Sequence, residues 1–152
     1  MALNFQKITP STCPSQPGIY LLVMYLGVSQ TIQVGALGPN FFPEGHYMYI
    51  GSAQGGLHRR VSRYFKSGSK RRKKWHVDYL LEKAGLEEVW AWVYQGKGRE
   101  PKKLGECQVA QKLSRFFTVP LPGFGASDCH CSTHLLYSST GPDLNSFNLC
   151  QG

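Results

Sequence analysis

Four side chains far apart in the sequence could together cut a phosphodiester bond: Tyr20, Tyr49, Arg60 and Glu106. A phenol can orient or deprotonate a water, a guanidinium can neutralise phosphate charge, and a carboxylate can hold a divalent ion at the leaving oxygen. Arg60 is picked out by its place on a helix. After Gly55-Gly56 the chain turns helical, and at about 100° per residue Leu57, Val61, Tyr64 and Phe65 share one face. Arg59 and Arg63 point away from that face. Arg60 falls at its margin, where a planar cation can lean over a sheet edge beside Tyr49-Ile50-Gly51 and grip a phosphate. Glu106 shares a face of a later helix with Val109, Ala110 and Leu113. A carboxylate there is costly unless paired, protonated or bound to a cation. An arginine such as Arg60 would serve as partner, and so would a metal ion. Tyrosines in strands are more often packing residues, so Tyr20 and Tyr49 count only if their strands bring both phenols to one end of a sheet.

Several elements must do that positioning. Ile19 to Leu26, opened by Pro17-Gly18, is apolar on both faces and reads as a central strand. Thr31 to Ala36 alternates as a half-exposed strand does, a loop with two prolines spans Gly38 to Glu44, and Gly45 to Ile50 is a second strong strand. A second helix runs from Lys74 to Ala84, with Val77, Leu80, Leu81 and Ala84 on one face and the stripe Trp75, Asp78, Tyr79, Glu82 on another. That stripe reads as a contact between elements. Val89 to Tyr94 is a strand with both tryptophans, Trp90 and Trp92, facing one way. Pro101 suits the start of a third helix ending near Arg115, and Leu135 to Tyr137 could add a short edge strand. Residues 1–16 read as an arm, 17–138 as the domain and 139–152 as a frayed tail.

Charge narrows the partners. The 152 residues carry a net charge of +8, nine of the 17 Lys and Arg fall between Arg59 and Lys74, and no acid occurs from Gly45 to Val77. A polyanion-facing surface follows, with Arg59, Arg63, Lys66, Lys70, Arg71, Arg72, Lys73 and Lys74 as its candidates. No lipidation signal, signal peptide or membrane-spanning run accompanies it, so an intracellular, cytoplasmic protein that does not bind membranes is expected. The five cysteines are odd in number and clustered, which in a reducing compartment argues for thiols or a metal site over a disulfide frame. Cys129, Cys131 and His134 could hold Zn²⁺ with Cys107 or His76 as fourth ligand, although the spacing is not a standard zinc pattern. Asp128 and His134 could instead extend the site's rim alongside His76 and Asp78. His76 and Asp78 lie about 200° apart on their helix and cannot both face one site.

The order of motifs is similar to that of the GIY-YIG endonuclease superfamily: Gly18-Ile19-Tyr20, then Tyr49-Ile50-Gly51-Ser52-Ala53, then the helix from Leu57 to Phe65. The chain resembles most its Uri-type branch, from about Pro17 to Tyr137, through Trp75-His76-Val77-Asp78-Tyr79-Leu80, Glu106-Cys107 and Gly123-Phe124-Gly125-Ala126-Ser127-Asp128-Cys129-His130-Cys131. The resemblance implies an α+β fold, a small and mainly antiparallel central sheet of four or five strands flanked by three helices. The 28 residues between Tyr20 and Tyr49 leave room for an inserted strand. It implies Tyr20, Tyr49 and Arg60 as catalytic residues, Glu106 as ligand to one Mg²⁺ or Mn²⁺, and DNA more than RNA as substrate, in repair or processing. The expected activity is therefore metal-dependent DNA cleavage. The alternative is a non-catalytic nucleic-acid-binding module on the same scaffold, and a zinc-stabilised interaction protein is a third reading.

Overall fold

Gly18–Leu26 (β2) is buried at every position except Tyr25, because it has a strand on either side and a packed layer on either face. In this computed structural model, which describes residues 5–65, 73, 75–94, 102–124 and 133–142, β2 pairs antiparallel with Gly45–Ala53 (β5) and with Gly85–Val93 (β6). Gln6–Ile8 (β1) adds to the outer side of β6, and Leu135–Ser138 (β7) to the outer side of β5. The central sheet is thus five-stranded and antiparallel throughout, in the order β1-β6-β2-β5-β7. Gln30–Gln33 (β3) and Pro39–Phe42 (β4) form a separate two-stranded sheet. Three helices complete the described fold: Leu57–Phe65 (α1), His76–Leu81 (α2) and Lys102–Leu113 (α3). The architecture is α+β, as the motifs implied.

Strand alternation sorts the core into two halves. Ile19, Leu21 and Val23 face one way, with Ile50, Trp90 and Trp92, and α3 covers them with Val109, Ala110 and Leu113. Tyr20, Leu22 and Met24 face the other way with Tyr49, under Leu57, Val61 and Tyr64 of α1 and Val77 and Leu80 of α2. Each fully buried aliphatic or aromatic side chain contributes about 1.5–3 kcal/mol, so both faces are needed to hold the sheet. Among the described residues, no helix is long and apolar enough to cross a membrane.

Four expectations need correcting. The arm is not all arm: Gln6–Ile8 is the edge strand of the central sheet, invisible to periodicity because only Ile8 of its three residues is buried. The inserted strand ends at Gln33, not Ala36, and joins β4 in its own sheet. Gly35, at φ 45°, turns the chain into a single 3₁₀ turn, Gly35–Leu37. The prolines of the expected 38–44 loop did not prevent β4, since Pro39 sits at the first position of a short edge strand. Finally, α2 is shorter at both ends than 74–84. Asp78 Oδ2 accepts the Trp75 amide at 2.8 Å and so fixes the helix start, and Gly85 opens β6. Of the expected basic loop, Lys66 to Lys74, all but Lys73 lies outside the described residues, as does most of the expected tail, 143–152.

Candidate active site

The register of β2 on β5 sets Tyr20 opposite Gly51 and Leu22 opposite Tyr49. Tyr20 and Tyr49 therefore point to the same face, their ring centroids 6.5 Å apart. Gly51 has to be small: a Cβ there would come within 2.4 Å of the Tyr20 ring. The phenols meet near the end of the sheet, as the sequence required. Tyr64 of α1 joins them, with its Oη 3.4 Å from Tyr20 Oη and its ring centroid 5.8 Å from that of Tyr20.

The start of α1 is fixed by the chain preceding β2. Leu57 N donates to Gln16 O and His58 N to Pro14 O, so two of the helix's first donors are capped by backbone. Gly56, at φ 115°, permits this approach, since a Cβ there would sit 2.5 Å from Ser15 O. With that start, Arg60 lands where the helical wheel put it. Its Nη1 donates to Ser52 O at 3.2 Å and its guanidinium carbon lies 4.6 Å from the Trp75 ring centroid. That carbonyl faces a sheet edge. Ile50 N donates to His134 O on the β7 side, and alternate residues of a strand present their backbone groups to the same side. Ser52 O therefore points past the end of β7, whose pairing with β5 stops at Tyr49.

Arg63 does something different from what its outward wheel position suggested. Its Nη1 binds Asp78 Oδ1 at 2.8 Å and its guanidinium lies over both Tyr64 and Trp75. Arg63 is thus tied into the protein by an ion pair, whereas Arg59 is exposed. Lys73 is likewise paired, with Glu82 at 2.6 Å, and lies near the Tyr79 ring. The Trp75-Asp78-Tyr79-Glu82 stripe is the contact between elements that its spacing predicted. Lys66, Lys70, Arg71, Arg72 and Lys74 lie outside the described residues.

All three phenols of the cluster are held above the ordinary phenol range. Burial is the main cause for each. For Tyr20 the neighbouring phenols add to it, and for Tyr49 so do Tyr64 and the charge of Glu106, while Arg60 opposes the shift in both. Neutral phenols donate and accept hydrogen bonds but do not take up a proton at neutral pH. Of the two roles open to them, they are suited to ordering a water and poorly suited to deprotonating one.

Glu106 enters from α3. Gly105 lets the helix lie close over the sheet, for a Cβ there would reach Ile19 Cδ1 at 3.0 Å. The next residue, Glu106, is consequently buried, 7% exposed, and its charge acts on Tyr49. A single carboxylate suits Mg²⁺ or Mn²⁺, which commonly bind through one or two carboxylates together with substrate phosphate oxygens and waters. Of the residues considered for zinc, Cys107 and His134 meet, Sγ to Nε2 at 3.6 Å, but Cys107 is disulfide-bonded. A disulfide sulfur is not a thiolate ligand, which corrects the expectation of thiols at that position. Cys13 is free. His76 packs its ring 5.5 Å from that of Phe124, and burial lowers its pKa. Asp128, Cys129 and Cys131 lie outside the described residues, and among the described residues no three ligand-type side chains gather.

Sequence reasoning missed Tyr64 and Trp75 as parts of this cluster, and it offered Asp78 only as a residue of the rim, without its cation Arg63. Tyr64 was visible only as an apolar-face residue. The comparisons with known proteins give one result. A family model, the domain of unknown function DUF123, matches residues 19–149, and the chain belongs to that family. No curated protein and no solved structure matches it.

Proposed function

We propose that this DUF123 member is a metal-dependent endonuclease of the GIY-YIG, Uri-type kind, which hydrolyses phosphodiester bonds in DNA during repair or processing. The observation that carries the reading is the position of Arg60, a guanidinium fixed at a sheet edge on the phenol-bearing face. Arg60 binds the scissile phosphate and offsets the charge that develops in the transition state. Tyr20 and Tyr49 stay neutral and order the attacking water and a phosphate oxygen by hydrogen bonding. Glu106 holds the divalent ion, which when bound supplies Lewis acidity and a more acidic water. Exposed Arg59 and the basic run through Lys74 bind flanking phosphates without reading sequence.

A specific observation also favours the second reading, a binding module without chemistry: the buried phenols are held too high to act as bases. The two readings separate in a panel of plasmid, branched, mismatched and single-stranded DNA with Mg²⁺ or Mn²⁺. A nuclease nicks at least one substrate, and both Arg60→Ala and Glu106→Ala stop nicking while the circular dichroism spectrum is unchanged. A double variant that nicks as fast as wild type overturns the site. Salt-sensitive binding with no cleavage under any divalent ion leaves only the binding module.

A further inference from the structure

Asp78 is a buried carboxylate that the proposed chemistry leaves unused. Only 2% of the residue is exposed and its side chain not at all, yet each oxygen has a donor: Arg63 Nη1 on Oδ1 and the Trp75 amide on Oδ2, both at 2.8 Å. Capping α2 alone does not call for this residue. A serine or asparagine caps a helix without the several kcal/mol of desolvation that a buried carboxylate carries. What the carboxylate adds is a hold on a cation, and that cation leads to the active site. Arg63 lies 4.7 Å from the Trp75 ring centroid and 5.1 Å from that of Tyr64. Trp75 carries Arg60 on the same indole, and the Tyr64 hydroxyl meets that of Tyr20.

We infer that Asp78 is a positioning residue, which through Arg63 and the Trp75 backbone sets Arg60 and Tyr20 in their working geometry before substrate arrives. The physical gain is entropic. A free arginine side chain has rotamer freedom to lose, and a guanidinium already stacked and fixed loses little of it on meeting a phosphate. The catalytic part of this inference rests on the nuclease reading; the positioning part does not.

The test therefore has two readouts. The first is steady-state nicking by wild type, Asp78→Asn, Arg63→Gln and the double variant. Asp78→Asn and Arg63→Gln each lower kcat by about 10- to 100-fold with KM within about twofold, and the double variant is no worse than either single one. Asp78→Glu keeps the charge and can still accept the Trp75 amide, so it recovers most of kcat. The second readout is the Arg60 side-chain Nε–H resonance, which the Trp75 indole shields in the wild type. It moves towards its random-coil position in Asp78→Asn, and in Arg63→Gln should Asp78→Asn fail to fold. An unmoved Arg60 resonance overturns the inference whether or not the protein cleaves DNA. So does an unchanged kcat, a loss confined to KM, or additive losses in the double variant. A wild type that nicks no substrate counts against the nuclease reading, and the resonance then decides the positioning by itself.

Discussion

The two faces of the central sheet bury side chains of different chemistry. Under α3 the buried sheet residues are aliphatic or indole: Ile19, Leu21, Val23, Ile50, Trp90 and Trp92. Under α1 and α2 the same strands bury Tyr20, Tyr47 and Tyr49, and α1 adds Tyr64. Phenylalanine would fill much the same space, and a buried hydroxyl without a good partner costs about 1–3 kcal/mol on protein mutational data. The Tyr47 hydroxyl has such a partner in Pro43 O, at 2.6 Å, and those of Tyr20 and Tyr64 meet each other at 3.4 Å. Arg60 and the Arg63–Asp78 pair lie on that face too. Both faces hold the sheet together, and the phenol face also takes in polar and charged groups.

Four experiments break or sharpen that contrast. The largest effect expected is at Glu106, the buried carboxylate that α3 carries. Glu106→Gln, isosteric but uncharged, reduces metal-dependent nicking by about a thousandfold, equivalent to about 4 kcal/mol of transition-state stabilisation. Nicking within tenfold of wild type would confine the chemistry to the phenol face. Next, Leu113→Ala on the apolar face lowers unfolding stability by about 3 kcal/mol and leaves turnover per folded molecule unchanged, measured by urea unfolding and single-turnover cleavage. The reverse pattern is expected for Tyr20→Phe. Its cleavage rate falls about 10- to 100-fold while stability shifts by no more than about 1 kcal/mol. Equal changes in both variants would erase the division between the faces.

The smallest effect is a pH dependence. Tyr20, Tyr49 and Tyr64 ionise in the folded protein above the ordinary phenol value, chiefly because they are buried. The unfolded chain releases those protons near pH 10. Their contribution is whole below about pH 10 and is lost as pH rises above it towards the folded values, by about 1.4 kcal/mol per pH unit for each phenol. Stability followed by denaturant titration should fall above that pH, and less steeply in Tyr20→Phe. An identical slope would mean that Tyr20 ionises freely in the folded state.

Much of the fold was legible because its central parts are strongly patterned. β2 is apolar on both faces, β5 opens on a glycine, and α1 has one clear stripe. Arg60 was legible for the same reason: a margin position follows from counting alone. Glu106 was legible as a carboxylate among apolar neighbours. Other features depend on partners that no local window contains. Ile8 is buried only because β6 lies beside it, 81 residues later in the pairing Ile8–Val89. Arg63 looks solvated on its helix until Asp78, 15 residues on, takes hold of it. Tyr64 scores as hydrophobic whether or not its hydroxyl meets another phenol.

One hydrogen bond has a consequence for the molecule at high concentration. Among the described residues no strand pairs with β5 at Ser52 on the β7 side, and the Arg60 guanidinium donates to the Ser52 carbonyl there. A bare strand edge is a template on which a second molecule can add its own strand. Arg60→Ala would then remove a guard as well as the proposed phosphate ligand, and oligomers joined through β5 would form in solutions where the wild type stays dispersed.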